Sequence, residues 1–228
     1  MCGRYASTLS GEELGRYFAV DEIADVELRP SWNIAPTQDV PIVVEKRDDR
    51  ARLLTTARWS LVPPFAESLT LKFPTFNARS ETVCEKASFK SAVVHQRAIL
   101  PADAYYEWHT EGKAKTPYAV RPEDGLLAFA GIYSWWRESP ASNWVLTATI
   151  LTMAAPEPLA WLHDRTPIVL GADDWDWWLN REIAANPTFI DEAVARSIPV
   201  ASALTTYEVN PIRGNGPELL LPAAHGRL

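Results

Sequence analysis

Residues 97–108 read RAILPADAYYEW, and three further apolar runs follow at short intervals: TPYAVRP (116–122), LLAFAGIYSWW (126–136) and NWVLTATILTM (143–153). Each is rich in β-branched or aromatic residues and bounded by Gly, Pro or Asn, the pattern of strands separated by turns. Upstream, VPIVVEK (40–46) and ARLLTTARWSLV (51–62) also read as strands, joined as a hairpin through the charged EKRDDR. SGEELGRYFAV (10–20) is a short helix with Ser10 as N-cap and Glu13 completing a capping box. Residues 80–96 carry helical spacing behind Ser80 and Glu81, and PEPLAWLH (156–163) is a short helix or turn before a strand PIVL (167–170). DDWDWWLN (173–180) and TFIDEAVARS (188–197) read as helices, and LTTYEV (204–209) as a late strand. Strand and helix patterns intermix without a regular βαβ period. The expectation is therefore one α+β domain over 1–228, with a mostly antiparallel, barrel-like β core surrounded by short helices.

Composition narrows the function. Hydrophobic residues make up 47% of the 228 positions and charged residues 22%, the profile of a well-cored globular chain. The formal charge is −7, which argues against indiscriminate binding to polyanions but leaves room for a local basic cleft. Two cysteines without CxxC spacing suggest a reducing compartment and no disulfide framework. The start lacks a basic region followed by an apolar one, and no apolar run reaches membrane-spanning length. These features read as a cytosolic protein.

The chain opens MCGRY, which sets Cys2 directly behind the initiator. Aminopeptidases remove Met1 readily when the next side chain is small, and a Cys2 at the N-terminus is a 1,2-aminothiol. Its amine titrates near ~7.7–8 and its thiol near ~8.5, so useful fractions of both nucleophiles exist at neutral pH. The amine can act as base for the thiol, or both can close on one aldehyde as a thiazolidine. A small tail residue without chemistry is the plain alternative.

Five other stretches supply residues that such a cysteine needs. FNARSET sets Asn77, Arg79 and Glu81 at alternate positions of an extended segment. YYEW places Glu107 between aromatics, where lost hydration favours a neutral carboxyl and suits acid–base work. WLHDRTPIVL sets His163 beside Asp164 and Arg165, and histidine is the side chain best suited to proton transfer at neutral pH. WNIAPTQ and WSLVPPFAE are Trp- and Pro-bearing loops that could be core plugs or stacking platforms.

Taken in order, MCGRY, WNIAPTQ, RWSLVPPFA, FNARSET, YYEW, KTPYAV, FAGIYSWW, LTATILTMAA, LHDRTPIVL and VNPIRGNGPELL resemble the SRAP (SOS response-associated peptidase) family from Cys2 to Leu220. The resemblance implies a SRAP fold and an enzyme of lyase or hydrolase type, nominally a cysteine peptidase. It would sense abasic sites in single-stranded DNA, crosslink to them through Cys2 as a thiazolidine, and shield the lesion during the DNA damage response. It implies catalytic roles for Cys2, Asn77, Glu107 and His163: His163 opens the closed sugar, Glu107 shuttles protons at the imine and the ring, and Asn77 orients the amine. Carried over position by position, Arg4, Asn33, Pro36, Phe65, Arg79, Trp108, Thr152 and Arg165 would contact DNA, with Phe65 and Trp108 as stacking groups. The family pattern implies no cofactor, no metal, no membrane partner, a monomer, and a cytoplasmic protein that is nucleoid-associated when on DNA.

Departures from the family pattern are Phe65-Ala66-Glu67, where tryptophan is frequent, Thr166 for methionine and Ser60 for glycine. Cys84 reads as a buried structural thiol on a helix. Three alternatives stay open. One is a class II glutamine amidotransferase, although those continue MCGI rather than MCGRY. The others are an autoproteolytic peptidase and a non-covalent single-strand binder.

Overall fold

The computed structural model describes residues 2–224. Among the described residues thirteen strands carry the fold: β1 (Arg4–Ser7), β2 (Glu22–Ile23), β3 (Ser31–Ile34), β4 (Asp39–Glu45), β5 (Arg52–Trp59), β6 (Asn77–Arg79), β7 (Arg97–Ala102), β8 (Ala104–Glu111), β9 (Ala114–Arg121), β10 (Leu127–Trp136), β11 (Val145–Ala154), β12 (Arg165–Pro167) and β13 (Thr205–Glu208). The helices are short except the last: α1 (Gly11–Tyr17), α2 (Lys90–His95), α3 (Glu157–Ala160), α4 (Trp175–Leu179) and α5 (Pro187–Ser202).

β4, β5, β7, β10 and β11 form a closed, mixed five-stranded barrel. Antiparallel ladders run β11–β10–β7–β4–β5, and a parallel contact between β5 and β11 closes the ring. Closure removes free edges at the core. β12 and the short β6 add to β11 from outside. A second, antiparallel sheet runs β13–β9–β8–β1–β3. Gly131 sits where β10 meets its neighbours closely: a Cβ there would stand 2.2 Å from Leu100 Cδ1 and 2.9 Å from the Thr149 carbonyl oxygen. The α+β class and the barrel-like, mostly antiparallel core match the expectation.

Local signals are followed closely where they are self-contained. Ser10 caps α1, Glu13 reaches back to its N–H, and VPIVVEK pairs with ARLLTTARW as the hairpin β4–β5. Four readings are corrected. RAILPADAYYEW is two strands, because the chain turns at Asp103 and passes from barrel to second sheet. Asp103 N–H donates to the Ala6 carbonyl (2.8 Å), and its Oδ2 accepts from Thr8 N–H (2.6 Å). SWNI, read as loop, is β3, because β1 offers it a ladder. Residues 80–96 are not one helix: a 3-10 turn at Ser80–Thr82 and further turns, with Thr82 O accepting from Glu85 and Lys86 N–H, precede α2. Cys84 therefore lies in a turn, partly buried, and burial pushes its thiol up. The strand expected at PIVL lies earlier, over Arg165–Pro167, where pairing with Thr152–Ala154 is available, and beyond it Val169 makes only an isolated bridge to Phe129.

Arg97 staples the helical layer to the barrel. It is buried, with Nε donating to Trp178 O (2.6 Å), Nη1 to Val94 O (2.6 Å) and Val93 O (3.3 Å), and Nη2 to Ile183 O (3.0 Å) and Asn180 O. Its guanidinium also lies 4.8 Å from the Phe189 ring centroid. No helix among the described residues is long and apolar enough to cross a membrane.

Candidate active site

Cys2 stands two residues ahead of Arg4, the first residue of β1, whose residues are held on both sides by ladders to β3 and β8. It is fully buried, with Sγ 3.8 Å from the Arg4 carbonyl oxygen. Burial pushes the thiol's pKa up, and the nearby Glu107 carboxylate pushes it further, so the thiol is held neutral. Met1, whose removal the sequence predicts, lies outside the described residues.

Asn77 opens β6 and lies beside Ile150 of β11. Its Nδ2 donates to the Cys2 carbonyl oxygen at 2.7 Å. Its Oδ1 is buried and has no hydrogen-bond partner among the described residues.

Glu107 comes from β8, where alternation puts Tyr105, Glu107 and His109 on one face and Tyr106 and Trp108 on the other. Glu107 is 6% exposed, and its Oε1 accepts from the Trp108 backbone N–H at 3.3 Å. Tyr105 lies close to Cys2 and Glu107, and burial above all pushes its phenol up. Its hydroxyl is 3.0 Å from Thr166 Oγ1, which links this face to β12.

His163 stands just before β12, half-buried. Its Nδ1 is 2.9 Å from the Arg165 backbone N–H, which it can accept from, and 2.6 Å from Asp164 Oδ1, to which a protonated Nδ1 can donate. Either protonation state thus has a partner, and both contacts use Nδ1, so the Nε2 edge is the one a substrate can meet. Arg165 pairs with both carboxylate oxygens of Glu81, Nη2 to Oε2 at 3.0 Å. That bidentate contact holds the Glu81 carboxyl below its usual range. The same Nη2 donates to Thr152 O (2.7 Å) and Thr152 Oγ1 (3.3 Å). Thr152 is fully buried and its hydroxyl donates to Ala78 O at 3.4 Å, so its side chain supports Arg165 from behind.

The remaining residues read from the sequence spread around this centre. Arg4 Nη1 donates to Asn33 Oδ1 (2.7 Å), and Asn33 Nδ2 donates to Gly214 O (2.6 Å), tying the VNPIRGNG segment to the site. Arg79 is exposed at the end of β6. Pro36 is half-buried in the turn after β3. Trp108 is half-buried, packed with Trp32 against Tyr106, Ala119, Val209 and Leu219 on the face opposite Glu107. Phe65 is 68% exposed on a separate loop, anchored where Trp136 Nε1 donates to Ala66 O at 2.8 Å. The sequence reading missed Tyr105, His109, Tyr118 and Trp161. The period-two signal of YYEWH, positions 105, 107 and 109, would have found the first two.

A buried cysteine just ahead of β1, held through its backbone by the Asn77 amide and close to the Glu107 carboxylate, on a second sheet beside a small mixed barrel, defines a class of cysteine-centred proteins. The chain belongs to the SOS response associated peptidase (SRAP) family, whose model matches residues 1–214. It is 32% identical over 227 residues to the abasic site processing protein YoqW of Bacillus subtilis (strain 168), covering 96% of this chain and 99% of that one. To the abasic site processing protein YedK of Escherichia coli (strain K12) it is 30% identical over 233 residues, covering 97% and 100%. A solved protein from Bacteroides thetaiotaomicron shares the fold, with a TM-score of 0.81 at 20% identity over 97% of this chain and 100% of that one. Family membership removes the amidotransferase alternative.

Proposed function

We propose that this chain recognises abasic sites in single-stranded DNA and captures them covalently as a thiazolidine on Cys2, once Met1 has been removed. The observation that carries the reading is the clamp on Cys2. Asn77 Nδ2 holds the Cys2 carbonyl at 2.7 Å while its buried Oδ1 stays available to accept from a Cys2 amine.

The steps follow from the groups present. An abasic deoxyribose is mainly a closed hemiacetal. The Nε2 edge of His163 takes the proton of the C1′ hydroxyl and returns one to the ring oxygen, which opens the sugar to an aldehyde. Because burial holds the thiol neutral, the amine attacks C1′ first. Glu107 protonates the departing hydroxyl, one water leaves, and an imine forms. Sulfur then adds to the imine carbon, and the thiol proton passes through Glu107 to the nitrogen. One C–N and one C–S bond form and one water is released. This is a condensation that shares only its imine with lyase chemistry; a peptidase step would concern Met1 alone.

Arg4, Arg79 and Arg165 would grip phosphates, with Asn33 and Pro36 shaping that surface, buried Thr152 supporting Arg165 from behind rather than meeting DNA, and Phe65 and Trp108 stacking on bases. The chain would act as a monomer in the cytoplasm, joining the nucleoid when bound to DNA. The test is incubation with a single-stranded oligonucleotide carrying one abasic site, followed by denaturation and intact mass. An adduct equal to the protein without methionine, plus DNA, minus water, is expected from wild type and not from Cys2→Ala. An adduct formed by Cys2→Ala at the same rate overturns the reading, and DNA binding without any adduct returns it to a non-covalent binder.

A further inference from the structure

Trp161 is a large aromatic side chain left 45% exposed beside the site. It caps α3, between Leu159 and Leu162, which are buried and fix the turn, so the indole projects outward. Its ring meets Tyr118 edge-on, with centroids 5.0 Å apart at 88°, and lies 5.3 Å from the His109 ring at 53°. His109 Nδ1 also lies 2.9 Å from the Trp161 carbonyl oxygen, within hydrogen-bond reach of it. Both backbone and ring are therefore held before any ligand arrives, which lowers the entropy lost on binding.

The ladder register places this ring. Tyr118 is the cross-strand partner of Glu107, so the two side chains share a face of the β8–β9 hairpin. His109, two residues beyond Glu107, shares it too. Trp161 thus stands over the face that carries Glu107, two positions ahead of His163 and four ahead of Arg165. An abasic nucleotide offers no base, so registering it in a site must draw on the phosphates and bases beside it. The arginines supply the first contact, and a fixed, half-exposed indole next to the acid–base groups supplies the second.

We propose that Trp161 is a stacking platform for the base immediately flanking the abasic residue, an inference that rests on the abasic-site reading above. The test uses single-stranded oligonucleotides with one abasic site and 2-aminopurine as its 5′ or 3′ neighbour. Wild type is expected to quench the probe at one of the two positions. Trp161→Ala should restore its fluorescence and weaken binding by roughly ten-fold, while Trp161→Phe keeps most of both. Deoxyribose 5-phosphate, an aldehyde sugar without neighbouring bases, should be captured by Trp161→Ala at the wild-type rate, showing an intact centre. If wild type forms no adduct with either substrate, the abasic-site reading itself fails. If wild type forms it and Trp161→Ala binds and quenches as wild type does, the platform is overturned. Loss of deoxyribose 5-phosphate capture in Trp161→Ala would also overturn it, assigning the ring to the integrity of the centre.

Discussion

Asn77 reaches the backbone of Cys2 from 75 positions away, its Nδ2 donating to the Cys2 carbonyl oxygen at 2.7 Å. Without that bond Cys2 could turn about its own backbone, and the carbonyl would lose a buried donor. Asn77→Ala is expected to slow single-turnover capture by about 10- to 100-fold, the scale of one buried hydrogen bond left unmade. Asn77→Asp, which has no N–H to donate, should be at least as slow. Wild-type rates in both variants would remove Asn77 from the mechanism.

His163 and Glu107 should separate by substrate. His163→Ala is expected to slow capture of a ring-closed abasic site by about 10²–10⁴-fold, and to matter little for a simple aldehyde that has no ring to open. Glu107→Gln keeps the shape but cannot take a proton, so it should slow both substrates and the reversal of the adduct. Rates of both variants on both substrates decide the matter; equal losses for His163→Ala on the two would show that it does not open the sugar.

Arg165 is already engaged by Glu81 through a bidentate contact, so a phosphate must compete for the guanidinium. Arg165→Ala and Arg79→Ala should each weaken single-strand binding and lower the slope of log affinity against log salt by about 0.7, as one phosphate contact is lost. Glu81→Gln frees Arg165 and is expected to strengthen binding at low salt. Titrations at several salt concentrations check this, and a salt slope unchanged by Arg165→Ala would place that residue off the DNA path.

Arg97 answers the carbonyls of Val93, Val94, Trp178, Asn180 and Ile183 from a buried position. Arg97→Met fills similar volume but takes its donors away from these carbonyls, of which Val94 O keeps the Ala185 N–H (3.0 Å) and Asn180 O keeps the Ile183 N–H (3.2 Å). A loss of about 3 kcal/mol or more in urea-unfolding free energy is expected. A loss below about 1 kcal/mol would mean that the helical layer is held chiefly by its apolar contacts.

Asp103 introduces a pH dependence at the corner between the two sheets. Burial raises its carboxyl above the ordinary value, and the Thr8 N–H offsets only part of that. The folded protein therefore holds this proton more tightly than the unfolded chain. The resulting stability is present below the unfolded value of about 3.9 and is lost as pH rises through the folded one. Asp103→Asn keeps an oxygen for Thr8 and has no such titration. Wild type should thus lose melting temperature relative to Asp103→Asn as pH rises above the unfolded value of about 3.9; a difference that stays constant would exclude this origin.

The resemblance to a family, not local pattern, singles out Cys2, Asn77, Glu107 and His163, whereas the capping box at Ser10, the β4–β5 hairpin and the strand runs of 97–153 are legible in the local sequence. They rest on contacts within a few residues or on the alternation of side chains, and local sequence encodes both. The turn at Asp103 was not legible, because the apolar pattern continues through PAD and the break is made by Ala6 and Thr8 on another strand. SWNI became a strand for the same reason: its ladder belongs to β1. Thr152 and Arg165, both marked as DNA contacts, differ in exposure because Thr152 is covered by the β6 and β12 strands that flank β11. Barrel closure through β5 and β11, the Asn77–Cys2 bond and the seat of Trp161 on Tyr118 join segments far apart in the chain. Periodicity says which face a side chain takes; only the packed chain decides what it finds there, because that partner is set by hydrogen bonds and burial between distant strands.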